Sequence, residues 1–197
     1  MIPAIVGLAS GTILLLSREE EGKPLAMDAL HASLPRQEEI EIPLSLTREQ
    51  WLAFLRAATC GNPRTVTPSF RFGTFGLSVR RLCDLGAMTN PRVIQFKGRQ
   101  VWDALWINPS SLRNFQTAPM LQYQLFTDSV RGYSERPEVI QAVGQTIEGQ
   151  KVTQSGALML AHRAGLTGMA SWLQDPSIRQ RFSENTTAFF QRANGIF

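Results

Sequence analysis

The sequence predicts a mostly α fold, with α+β as the alternative, built on one compact body at residues 46–197 behind an N-terminal extension. Three observations lead there. Apolar residues recur at helical spacing in several stretches of the body, and most of those stretches carry recognisable start and stop residues. One segment between the first two helices is rich in aromatics, Pro and Gly, and it reads as a small irregular or β-like hairpin. With 197 residues, 43% of them hydrophobic, the chain has material for one substantial core rather than two full domains.

The extension has two parts. Residues 1–17 hold an apolar run, Ile2 to Leu16, broken by Pro3, Gly7 and Gly11. It is short for a bilayer span, which takes about 20 residues, and it lacks the basic start and small-x-small site of a secretory signal. Residues 1–16 therefore read as a buried or partner-docked segment, with a membrane-inserting tip as the alternative. Residues 18–45 turn polar and charged, with breakers at Gly22, Pro24, Pro35 and Pro43, and form a linker or arm with a short helix near Met27 to Ala32.

In the body, Thr47 and Gln50 offer a capping box for a helix with Trp51, Leu52, Leu55 and Ala58 on one face. Leu77 to Leu85 predicts a second helix, with Val79, Leu82 and Cys83 inward and Gly86 as its stop. Pro91 to Trp106 is mixed, either strand-like or loop. Pro119 to Tyr133 predicts a helix capped by Thr117, with Met120, Tyr123, Phe126, Val130 and Tyr133 near one stripe. Pro137 to Glu148 predicts the next, with Val139, Ile140, Val143 and Ile147 inward and Gly149 after it. Thr153 to Ala164 is closed by Gly165. Short helices around Pro176 to Phe182, behind Asp175, and Thr187 to Ala193, before Gly195, complete the series.

The charge is +4 with a pI near 9.6, and lysine occurs only at Lys23, Lys97 and Lys151. Arginine favours planar contacts with carboxylate and phosphate. That suits cell-wall peptides, a phospholipid surface or nucleic acid, with a merely solvated basic surface as the plain alternative. The arginines are scattered, and no RNA-binding signature or helix-turn-helix pattern accompanies them, so a nucleic-acid partner is not expected. Cys60 and Cys83 lie outside any Cys/His ligand pattern, so neither a metal nor another cofactor is expected. They are read as isolated buried thiols, with a bridge across the first motif as the alternative.

Two segments carry a resemblance. ATCGNPRTVTPSFRFGTFGL, from Ala58 to Leu77, resembles the stretch of soluble lytic transglycosylases and goose-type lysozymes that runs Glu-Ser-Gly-x-Asn-Pro and then Ala-x-Ser-Pro-x-Gly-Ala-x-Gly-Leu-Met-Gln. ALMLAHRAGLTGMASWL, from Ala157 to Leu173, resembles that family's Ala-Tyr-Asn-Ala-Gly-x-Gly helix, with His162 and Arg163 at the Tyr and Asn positions. The resemblance implies a lysozyme-like helical domain with its hairpin lining a glycan cleft. Ala58 stands at the position of the catalytic Glu, or Thr59 if the alignment slips by one, and Gly76 replaces the closing Gln.

Neither Ala nor Thr can protonate a glycosidic oxygen, a task that falls to a carboxylic acid of raised pKa. Glu49 lies nine residues before Ala58, roughly 13 Å along a helix. Most of the five Asp and eleven Glu lie in the arm, beside Arg or Lys, or at helix starts; Asp84, Asp103 and Glu148 remain, none at the family's acid position. His162 is able to move a proton near neutral pH, yet a lone helical His is more often structural, and Arg163 beside it opposes protonation. A thiol nucleophile would require Cys60 to meet His162.

No catalytic residue is therefore assigned. The expectation is a degenerate lysozyme-like subunit of a phage tail or related wall-crossing particle, in a virion or extracytoplasmic assembly, with other subunits as partners and peptidoglycan as a further one. Glycan contact would fall to Asn62, Phe72, Phe75, Tyr123 and His162, because aromatic faces stack on sugars and amides bond acetamido groups. Phe72 and Phe75 as core residues are the alternative. An active muramidase with a displaced carboxylate, and a purely structural or membrane-associated virion protein, are the other classes.

Overall fold

The computed structural model describes residues 42–181 and 184–197. The apolar run at residues 2–16 and nearly all of the arm lie outside them.

The described chain is mostly helical with small antiparallel strand pairs, about 53% helix. After a 3-10 turn at Pro43–Ser45, α1 covers Arg48–Ala58. Its capping box forms as the sequence predicts: Thr47 Oγ1 accepts from the Gln50 amide at 3.2 Å, and Gln50 Oε1 accepts from the Thr47 amide at 2.9 Å. The segment after α1 forms the hairpin β1 (Arg71–Phe72) and β2 (Leu77–Ser78), followed by α2 (Val79–Asp84). Ser78 caps α2, and Gly86, in the left-handed region at φ 71°, lets the Ala87 amide turn back to the Leu82 carbonyl.

Strands β3 (Met88–Phe96) and β4 (Arg99–Trp106) resolve the mixed segment into a long ribbon. Lys97 and Gly98 both take positive φ, the tight turn that matches strand twist. Pro91 sits at a register shift between Thr89 and Arg92, where its missing N–H breaks no regular ladder.

Next come α3 (Leu112–Gln116) and α4 (Pro119–Ser134). Two expectations are corrected here. Thr117 closes α3 rather than capping α4, and Met120 is exposed, whereas Tyr123, Phe126, Val130 and Tyr133 are buried. The helix predicted from Pro137 to Glu148 is also shorter: α5 ends at Ala142, and the chain turns through Gly144 into the hairpin β5 (Thr146–Ile147) and β6 (Gln150–Lys151). Ile140 and Val143 consequently face solvent. Glu148 and Gly149, both at positive φ, take the hairpin turn that a longer helix would have consumed.

The long helix α6 (Gln154–Gln174) breaks at Gly165, whose φ of 74° and ψ of 169° end the first segment where the sequence predicts. Helices α7 (Pro176–Arg181) and α8 (Glu184–Ala193) follow, with Asp175 Oδ1 accepting from the Ser177 amide at 2.8 Å. The core has two parts. One packs α1, α4, α5, α6 and α8 around Trp51, Phe54, Phe126 and Leu158; the other packs β1–β2, α2, β3–β4 and α3 around Phe72, Leu82 and Phe115.

Candidate functional site

The two motifs meet. The β1–β2 turn lies against the first segment of α6, and the contact is made by polar groups rather than by apolar packing alone. His162 Nε2–H donates to the Phe75 carbonyl at 2.7 Å. Arg71, on β1, donates through Nη1 to the Gly76 carbonyl at 3.2 Å and through Nη2 to the Arg163 carbonyl. Because Arg163 lies in the last turn before Gly165, its carbonyl is one that the helix leaves unpaired, and Arg71 fills that place from a distant strand.

Gln122 fixes the other side of the first motif. Its amide nitrogen donates to the carbonyls of Pro63 and Phe115, each at 2.9 Å, and its oxygen accepts from the Thr74 amide at 3.0 Å. The side chain is almost wholly enclosed, so three backbone groups depend on it. Gly73 makes room for it: at φ 73°, a Cβ there would lie 2.3 Å from Gln122 Oε1.

The five residues proposed for glycan contact are not gathered on a surface. Asn62 is half-buried and turned into its own loop, with Oδ1 accepting from the Arg64 amide at 2.8 Å. Phe75 and Tyr123 belong to the larger core and His162 is buried against it: the Phe126 ring stacks on Phe75 at 4.3 Å and meets His162 edge-on at 5.0 Å. Tyr123 Oη accepts from Trp51 Nε1–H at 2.9 Å. Phe72 lies in the second core part, edge-on to Trp106. The four rings are each 3–6% exposed, so none presents a face on which a sugar ring stacks.

His162 is held neutral. Burial first, and then the positive charges of Arg163 and Arg71, push its pKa down to about 3, against which the Phe75 carbonyl bond is the smaller effect. With Nε2 donating, Nδ1 carries a bare lone pair that has no hydrogen-bond partner. Cys60 does not complete a nucleophilic pair with it: neither imidazole nitrogen bonds the thiol, whose Sγ lies 3.5 Å from the Thr74 carbonyl. Both cysteines are free thiols, half-buried rather than buried.

Ala58 has no exposed surface and packs in the larger core. Glu49 is exposed in the first turn of α1. Asp84 lies 3.7 Å from Arg81, Asp103 pairs with Arg92 at 3.0 Å across the ribbon, and Glu148 lies 3.6 Å from Arg179. No group of three metal-ligating side chains occurs among the described residues, and no helix there is long and apolar enough to cross a membrane. An open concavity of about 310 Å³ lies elsewhere, lined by Ser134, Val139, Ile140, Val143 and Gln154.

Sequence reasoning missed Gln122, Arg71 and the pairing of Arg71 with Arg163. A signal existed for the first: a polar residue one turn before Phe126, next to Tyr123, on a helix whose stripe is otherwise apolar. Compared with known protein families, with curated proteins and with solved structures, the chain matches none.

Proposed function

We propose that this chain is a lysozyme-like module that no longer cuts glycan and serves as a structural subunit of a phage tail or related wall-crossing particle. The observation that carries the reading is the enclosure of Ala58. The position that aligns with the catalytic acid is an apolar side chain sealed in a helical core, with arginines as the charged groups that bear on His162 of the second motif. The rings that would grip a sugar are spent on packing the two parts of the core. A domain kept for its shape, behind an apolar segment and a polar arm at residues 1–45, suits docking into a larger assembly at the bacterial envelope.

The test is incubation of the purified full chain with insoluble peptidoglycan, scoring both pelleting and soluble muropeptides. Neither is expected. Release of muropeptides would overturn the reading in favour of a displaced carboxylate, with Glu49→Gln as the variant to make next. Saturable pelleting without release would assign the module to glycan binding instead.

A further inference from the structure

We propose that the junction of the two motifs binds a small oxyanion, a phosphate or a carboxylate, between the guanidinium groups of Arg71 and Arg163. Both side chains are half-buried, and neither forms an ion pair with a carboxylate among the described residues. Arg71 spends its two terminal nitrogens on main-chain carbonyls, which carry no compensating charge. Arg163 is less well satisfied. Its Nε and Nη1 are enclosed without a hydrogen-bond partner, and its guanidinium lies 4.0 Å over the Phe189 ring.

Two adjacent half-buried cations repel one another, and an anion between them offsets that repulsion and gives the unpartnered N–H groups an acceptor. The strain registers on Arg71, whose pKa is lowered to about 10 by burial and then by Arg163. A guanidinium presents N–H groups in a fixed fork that matches the oxygens of phosphate and carboxylate, which selects this ligand class over a spherical halide. Gly76 lets these groups approach one another closely. At φ 62° it allows the tight turn, and a Cβ there would lie 2.6 Å from Cys60 Sγ and 3.0 Å from Arg163 Nη1. Two more arginines lie nearby: Arg192 sits 4.1 Å over the same Phe189 ring, and Arg81 is already engaged, with Nε and Nη2 donating to Ser129 Oγ and carbonyl at 2.8 and 2.9 Å and its guanidinium covering Tyr133.

This site stands independently of the proposed function, because its test needs no glycan. The full chain is titrated calorimetrically with inorganic phosphate and, separately, acetate, against chloride at matched ionic strength. One saturable event is expected with at least one of the two, and it is lost in Arg163→Gln while circular dichroism in chloride is unchanged. Arg163→Lys keeps the charge without the fork and weakens binding about tenfold; it carries the comparison if Arg163→Gln does not fold. Phosphate alone assigns the tetrahedral ion and acetate alone the carboxylate, and either supports the site. No saturable event beyond chloride, or equal binding by wild type and both variants, overturns it.

Discussion

The Nε2–H of His162 donates to the main-chain carbonyl of Phe75 at 2.7 Å, a bond between groups 87 residues apart in sequence. It joins the two segments on which the family resemblance rests, and it casts the imidazole as a fastener. His162→Ala leaves that carbonyl unpaired and opens space beside Phe126. A loss of about 2–4 kcal/mol is expected, read by urea denaturation. A change under 1 kcal/mol would show that the bond holds nothing.

The same imidazole makes stability fall in acid. Its pKa is about 3 in the folded chain and near 6.5 unfolded, so the unfolded chain takes up a proton that the native chain refuses. The contribution is intact above pH 6.5 and is lost progressively as pH falls toward 3. Between pH 7.5 and 5 the loss is about 2 kcal/mol. His162→Gln should remove that part of the slope, which paired urea titrations at the two pH values measure. An unchanged slope would place the acid sensitivity in other groups.

Placing an acid at the position that aligns with the family's Glu should unfold the protein rather than confer a reaction. Ala58→Glu forces a carboxylate into a site with no exposed surface and is expected to cost several kcal/mol, seen as a lowered melting temperature or insoluble expression. Thr59→Glu, half-buried at the end of α1, should fold. A well-folded Ala58→Glu protein would mean that the helical core yields there to water.

Gln122→Leu is nearly isosteric yet strips partners from the Thr74 amide and from the carbonyls of Pro63 and Phe115. About 3 kcal/mol or more is expected, with amides 61–76 exchanging faster with deuterium. Protection confined to its wild-type level would contradict the role assigned to this amide.

Tyr123→Phe keeps the ring and removes the acceptor of Trp51 Nε1–H, leaving a buried donor unpaired at a cost of about 1–3 kcal/mol. The change is read in denaturation midpoint and in Trp emission. A neutral substitution would show that water replaces the hydroxyl.

The helices were legible where local chemistry decides them. Thr47 with Gln50, Gly86 and Gly165 each set a boundary through groups within a few residues, and each boundary falls where the sequence puts it. The ribbon β3–β4 was half-legible: a Lys-Gly turn is a weaker signal than Asn-Gly, and Pro91 argued against a strand until the register shift accommodated it. Val143 and Ile147 continue a helical period past Ala142, but the Glu148-Gly149 turn prevails and sends Ile147 inward from a strand. The candidate site was least legible. Phe72, Phe75 and Tyr123 have the right chemistry for a sugar platform, and only the surrounding packing shows their faces to be covered. Nothing in the spacing of Arg71 and Arg163, 92 residues apart, announces that they meet.

That last pairing also bears on the order of events in folding. The first segment of α6 ends at Gly165 without completing its own terminus, and Arg71 reaches its carbonyl only after β1 has docked. Closing so long a loop comes late on the path to the native state, because its entropy is lost before the contact forms. Truncating Arg71 is thus expected to accelerate unfolding more than it slows folding, making this helix end a kinetic latch on the finished domain.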